Sequence, residues 1–507
     1  MWVFARLAPL SVASVASVAA IGLIAPVVVA PPAAAAPCSQ TASAAPANSG
    51  RALPGAATPP VEHVPTGRMP RGAQNQAMPF GLGPLPAAAL DPTATGALNF
   101  APMQQEGAVL PVPGPPGAAA QQVPNPTSTI NPRPNTAAGT GPTTGGPAAA
   151  IAGPTTTIVN WVDGPNSPNN TYTRFAISGA DLGIMWDNGQ TGANEQVLIA
   201  FGDTFGDCSV SGQQWRSNTL FRSADRNLSD GVSVPDPAFS NVYAGSPVLS
   251  ATPPGSNFSR QIIASLNLAQ TEVTIIPTAG ISVGTTQYVN FMSVKQWGNP
   301  GQWTTNFSAI AVSTDNGENW TASRGTVRPN FFFSVPSVWF NWGNQNFQQG
   351  AFVRRDGYLY SYGTPSGRSG SAYLSRVPEN AVLDLSQYEY WSQPWWNFFG
   401  AGSWVANSPW AATPVISAPV SEMSVQYNDY LNKYIVLYTD GSNNVVMRTA
   451  DNPQGPWSAA QTLVTSTQLP GGIYAPFIHP WSAGHDLYFN LSLWSAYSVM
   501  LMHTTLP

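Results

Sequence analysis

Past residue 155 the chain is cut at short intervals by tight-turn residues, and this punctuation limits the possible folds more than any other feature. Asp356-Gly357, Asp440-Gly441, Asn428-Asp429 and Gly484-His485-Asp486 are residue pairs and triplets that tolerate the backbone a hairpin turn demands. Alternating runs flank them, such as Tyr358-Leu359-Tyr360-Ser361-Tyr362, Tyr434-Ile435-Val436-Leu437-Tyr438 and Leu487-Tyr488-Phe489-Asn490-Leu491. A period of two sends neighbouring side chains to opposite faces, which is the strand pattern. No long stretch repeats at the helical period. The segment reads as all-β.

The strands also recur as units. Five can be aligned, beginning near Ile177, Glu272, Gly350, Ser421 and Tyr474, mostly at the spacing a four-stranded blade requires. Ser313-Thr314-Asp315-Asn316-Gly317-Glu318-Asn319-Trp320 has the Asp-box pattern of sialidase-type propellers, in which Asp caps backbone amides and Trp packs inward. Arg448 to Trp457 matches a turn found at blade ends of five-bladed glycosidase propellers. Together these predict a five-bladed β-propeller over residues 155–507, with a β-sandwich as the alternative.

Composition separates that domain from what precedes it. Residues 31–154 hold 25 of the 50 prolines and only two aromatics, Phe80 and Phe100, whereas residues 155–507 hold 50 of the 54 aromatics. The first stretch cannot bury enough apolar surface to offset chain entropy, so residues 37–154 are predicted to be a disordered Pro/Ala/Gly-rich linker. Such a linker is either a spacer through a cell envelope or a tail without a role. Residues 1–36 carry Arg6, an apolar run from Leu7 to Ala30 and a small-residue stretch at Ala33–Ala36, which describes a secretory signal peptide. The run is long enough to span a bilayer as an anchor, but Pro9 and Pro26 and the alanines favour cleavage. The expected location is therefore secreted or in the cell envelope, with no membrane insertion after cleavage. Pro37 before Cys38 argues against lipidation. The two cysteines, Cys38 and Cys208, either pair or remain free thiols.

Charge narrows the ligand. Residues 155–507 hold 14 Lys and Arg against 21 Asp and Glu, and no basic run occurs anywhere, so nucleic acid is excluded as a partner. Low charge with many Trp, Tyr, Asn and Ser residues suits a neutral polar ligand such as a carbohydrate. A monomer is expected.

Most acidic residues fall in turns and polar connections, where their side chains satisfy backbone amides. Asp181, Asp187, Asp203, Asp207, Glu272 and Glu422 remain in apolar strand contexts. Ile177 to Trp186 reads as one strand, Val197 to Phe205 as the next, and Asp187 to Glu195 as their loop. Opposed residues of a hairpin share a constant sum of positions, which sets Asp181 against Asp203 with Cβ atoms about 4.5–5.5 Å apart. Two such carboxylates repel, one pKa rises, and an acid and a base coexist at one pH. Alternatively, one caps a turn or holds a structural cation and the other is a satisfied polar group. Gly179, Gly183, Gly202 and Gly206 beside them leave room for a ligand to approach. Glu422 opens another inner strand and is either a third acid or a structural hydrogen-bonding group. Asp187, His479 and Trp186 are further pocket candidates, His479 reading equally as a buried structural histidine; Trp186, Trp297, Trp303, Trp339, Trp342, Trp395 and Trp396 are either stacking platforms for sugar rings or, as for most propeller tryptophans, core. The four histidines lack metal-site spacing, so no metal site and no required cofactor are predicted, though a cation on the propeller axis stays open.

Asp181-Leu182-Gly183-Ile184-Met185-Trp186-Asp187-Asn188-Gly189, followed by Phe201-Gly202-Asp203-Thr204-Phe205-Gly206, resembles the secreted actinobacterial propellers of the domain of unknown function 4185 family, assigned to glycoside hydrolase family 183. The resemblance covers nearly all of residues 155–507. It implies an endo-D-arabinanase acting on cell-wall arabinan, with the family's essential aspartate pair falling on Asp181 and Asp203. The competing expectation is a carbohydrate-binding propeller without turnover.

Overall fold

The computed structural model describes residues 156–341, 343–393 and 402–507. The expected signal peptide and linker, Cys38, Trp342, Trp395, Trp396 and the side chain of Trp339 lie outside the described residues.

The chain enters through β1 (Thr156–Trp161) and a five-residue helix, α1 (Thr171–Phe175). Blade one follows as β2 (Ile184–Asp187), β3 (Val197–Phe201) and β4 (Thr219–Ser223). Blade two is β5 (Thr274–Val283), β6 (Thr286–Trp297), β7 (Trp303–Ser313) and β8 (Thr321–Pro329). Blade three has β9 (Gln349–Arg355), β10 (Tyr358–Thr364), β11 (Tyr373–Pro378), β12 (Glu389–Ser392) and β13 (Ser403–Ala406). Blade four is β14 (Met423–Asn428), β15 (Lys433–Thr439), β16 (Val445–Ala450) and β17 (Gln461–Val464). Blade five is β18 (Ile473–Ile478), β19 (Asp486–Leu493) and β20 (Ser498–Thr505).

Each blade is an antiparallel meander, and the innermost strands β2, β5, β9, β14 and β18 touch in a closed circuit. The fold is a five-bladed β-propeller. The fifth sheet runs β1-β20-β19-β18, so the first strand of the ring supplies the outer edge of the last blade. Closing the ring with backbone hydrogen bonds joins the two ends of the domain and covers the outer edge of β20. Apolar side chains pack between adjacent blades, as where Ile435 and Leu437 of blade four meet Leu491 and Leu493 of blade five.

Local chemistry explains the turns. Asp356 and Gly357 both take positive φ (53° and 78°) in a two-residue hairpin between Arg355 and Tyr358, as a primed turn requires. In the Asp-box, Asp315 Oδ1 accepts from the Asn319 N–H (2.9 Å) and the Ser313 hydroxyl (2.7 Å), while Trp320 is buried and donates to the Gly317 carbonyl. Asp440 likewise accepts from the N–H groups of Ser442 and Asn444. Among the described residues, no helix is long and apolar enough to cross a membrane.

Candidate active site

The starts of the inner strands converge on the propeller axis and enclose a cavity with about 520 Å³ of empty space, counting its open mouth. Each blade contributes to its wall: Asp181 from blade one, Trp303 from two, Arg368 from three, Glu422 from four and Tyr474 from five. Trp297, Phe477 and Trp494 add aromatic surface.

Asp181 is placed by an unusual piece of backbone. The register of β2 against β3 pairs Ile184 with Ala200, and an isolated bridge pairs Gly179 with Phe205, so the constant sum of 384 holds on both sides of Asp181. Between them the chain turns: Gly183 N–H donates to the Asp181 carbonyl (3.0 Å) around Leu182, whose φ is +67°. A γ-turn with a leucine at positive φ is a strained geometry, and it persists only where surroundings hold it. Here β19 does so, through the Ser492 hydroxyl accepting from the Leu182 N–H (2.9 Å) and Asn490 Nδ2 donating to the Gly183 carbonyl (2.9 Å). Asp163, just after β1, adds a further tether by accepting the Ala180 N–H (2.7 Å).

Asp181 is 7% exposed. Its Oδ2 accepts from the Tyr474 hydroxyl (3.0 Å), while Oδ1 is buried without a hydrogen-bond partner. Burial first, then the neighbouring Asp203 and Glu422, push its pKa well above the usual carboxylate range against opposing contributions from Tyr474 and Arg368. Asp181 therefore holds its proton more tightly than an ordinary aspartate does. Gly202 makes this arrangement possible, because a Cβ there would stand 2.5 Å from Asp181 Oδ1. Three of the glycines expected to admit a ligand instead admit the chain's own groups: besides Gly202, Gly183 faces the Asn490 and Val499 side chains, and Gly206 faces Gln214 and the Ala176 carbonyl.

Asp203 follows β3 and is 1% exposed. Its Oδ1 accepts from the Thr274 hydroxyl (2.5 Å), a contact between blades one and two, and Asp203 does not line the cavity. Glu422, in contrast, shares the cavity with Asp181 and is clamped by Arg368, with Nε at 2.9 and 3.1 Å and Nη2 at 2.9 Å. Tyr474 is aimed by a bulge in β18, where the register slips between Tyr474 and Phe477 and Ala475 takes φ +51°. Burial first, then Asp181, raise the phenol's pKa well above its ordinary value, so it keeps its proton and donates.

Asp187, His479 and Trp186 do not line this cavity. Asp187 is at the far end of β2, accepting from the Gly189 N–H (2.7 Å) and the Trp481 indole. His479 follows the far end of β18; burial first and Arg226 second push its pKa down to about 3, a neutral packed imidazole. Trp186 is core, donating to Gln287 Oε1 (2.8 Å) and packing against Trp320. Arg368 escaped the sequence reading. Its one signal was an arginine set between Gly367 and Gly370 in a strand connection. Cys208 is disulfide-bonded, and Cys38, the other cysteine in the sequence, lies outside the described residues. Among the described residues no group of three or more His, Cys, Asp or Glu side chains is arranged to hold a metal ion.

The family model described as "Domain of unknown function (DUF4185)" matches residues 166–503. The chain belongs to the DUF4185 family. This DUF4185 chain is 27% identical over 343 residues to Notoamide biosynthesis cluster protein J of Aspergillus sp. (strain MF297-2), covering 64% of this chain and 82% of that protein. It is 27% identical over 336 residues to protein J' of Aspergillus versicolor, covering 64% and 83%. Among solved structures, one from Bacteroides ovatus ATCC 8483 aligns at TM-score 0.44 and 15% identity, covering 66% of the DUF4185 chain and 88% of that chain. The alpha-L-arabinofuranosidase of Podospora anserina aligns at TM-score 0.35 and 12% identity, covering 70% and 97%.

Proposed function

We propose that the protein is a glycoside hydrolase that cuts D-arabinofuranosyl linkages within cell-wall arabinan, using the axial cavity as its active site. The observation that carries this reading is Asp181: a buried carboxyl whose pKa burial and acidic neighbours raise, in a cavity walled by tryptophans, with a second carboxyl, Glu422, in the same wall. Glycoside hydrolysis needs a carboxylic acid to protonate the leaving oxygen and a carboxylate to activate water or attack the anomeric carbon. Asp181 takes the first role and Glu422 is positioned for the second. Asp203 acts through Asp181, its charge favouring the protonated form. Trp297 and Trp303 offer flat apolar faces for sugar rings. No cofactor is required by this chemistry. We further propose that residues 1–36 direct export, that residues 37–154 act as a linker to a propeller beginning near 155, and that the enzyme works as a monomer in the cell envelope.

A second reading, glycan binding without turnover, draws on the clamp that engages both oxygens of Glu422. Incubating the purified protein with mycobacterial arabinogalactan and analysing released oligosaccharides separates the two. Oligomeric arabinosides are expected from the native protein, with Asp181→Asn slower by about 10²- to 10⁴-fold. Retained arabinan affinity with no release would instead establish the binding reading.

A further inference from the structure

Arg368 stands at the junction of four blades. It lies in the connection from Pro365 to Ala372, between β10 and β11, which bends at Gly367 (φ +86°). Its own N–H donates to the Gly301 carbonyl (2.9 Å) in the β6–β7 turn. Gln349 Nε2 donates to the carbonyls of Pro365 (3.2 Å) and Gly367 (2.6 Å), so the loop is tied to β9 as well. The root of the side chain is thus fixed from two sides.

Its guanidinium then meets both carboxyl systems of the cavity. Nε and Nη2 form the fork on Glu422, while the guanidinium carbon Cζ lies over the Tyr474 ring, 4.6 Å from its centre. The Trp303 ring is 5.6 Å away on the same cavity wall. Tyr474 passes the contact on, through its hydroxyl to Asp181 Oδ2. A planar, permanently charged fork can hold a carboxylate edge-on and cover an aromatic face at once; a lysine ammonium cannot.

We propose that Arg368 is the positioning residue of this site, clamping Glu422 with one edge and, by covering the Tyr474 ring, holding the Tyr474 hydroxyl on Asp181. The assignment rests on the reading of Asp181 and Glu422 as the reacting carboxyls. Asp181 is faced by Asp203 after β3, Tyr474 in β18, Glu422 before β14 and Arg368 itself; the two acids favour its protonated form, and Tyr474 and Arg368 its ionised form. Losing either Arg368 or its hold on Tyr474 therefore moves the titration of Asp181 to higher pH.

The test compares Arg368→Met, Arg368→Lys and Tyr474→Phe in the full-length protein by two measurements. The first is ¹³C NMR titration of the aspartate carboxyl carbons, with Asp181→Asn to assign the resonance. The second is the pH profile of kcat and KM on arabinogalactan. We expect Tyr474→Phe and Arg368→Met to raise the Asp181 midpoint by about one pH unit or more. Arg368→Lys should restore most of that midpoint, because the charge survives, yet leave kcat at least about 10-fold low with KM within about threefold, because the fork on Glu422 is gone. An unchanged Asp181 midpoint in both Tyr474→Phe and Arg368→Met overturns the proposal, whether or not the protein cleaves arabinan. A normal midpoint shift in a protein that never releases sugar overturns the hydrolase reading and leaves Arg368 as the organiser of a binding cavity.

Discussion

Asp163→Asn tests how the ring is closed. Asp163 lies just beyond β1 and is fully buried, with Oδ1 accepting the Val499 N–H (2.6 Å) and Oδ2 the Ala180 N–H (2.7 Å). It thereby joins the entering strand, the last blade and the backbone preceding Asp181. Burial raises its pKa from 3.8 to about 8, outweighing the backbone hydrogen bonds that favour the ionised form. A carboxyl with a raised folded-state pKa contributes stability that is complete below its unfolded value and is lost as pH rises through the folded value. Between pH 5 and pH 7 the unfolded chain has this group ionised and the folded chain does not, so the loss is about 1.4 kcal/mol per pH unit, or about 3 kcal/mol over that interval. Asparagine keeps one acceptor, replaces the other with an amide NH₂ and cannot titrate. At pH 5 the variant should be less stable by about 1–3 kcal/mol, the cost of one buried hydrogen bond and its unsatisfied N–H. By pH 7 that deficit should vanish or reverse. Urea denaturation followed by tryptophan fluorescence at both pH values measures the gap, and Asp181, present in both proteins, cancels. A deficit that stays constant or grows from pH 5 to pH 7 would refute the reasoning.

Two further substitutions probe the frame around the site. Glu318→Gln removes the counter-charge of buried Arg222 (2.7 Å) and Arg260 (3.5 Å) and should cost about 3–5 kcal/mol in chemical denaturation, whereas a loss under about 1 kcal/mol would show the cluster to be indifferent to charge. Trp320→Ala empties the Asp-box core between blades one and two and should cost about 3–5 kcal/mol by the same assay; an unaltered midpoint would mean that the loop, not the ring, holds this corner.

The amino-acid sequence alone determined what depends on near neighbours. Turn residues and two-residue alternation fix where strands begin and end, so units expected near Glu272, Gly350, Ser421 and Tyr474 have inner strands starting at Thr274, Gln349, Met423 and Ile473. Hairpin register is likewise local, and the sum that pairs Ile184 with Ala200 needs only the intervening loop. What the sequence could not order was the far side of each choice. Asp187, His479 and Trp186 sit in the same strand contexts as Asp181 and Tyr474, but they fall at the other strand end or on the other face. Bulges and a strained γ-turn decide which side chains reach the axis, and these depend on contacts such as Ser492 to Leu182, 310 residues apart. The partnership of Tyr474 with Asp181 spans 293 positions, and that of Arg368 with Glu422 spans 54. No local pattern encodes such meetings. They arise because β1 closes against β20 and five inner strands share one axis, so the cavity and its charge arrangement exist only once the ring is complete.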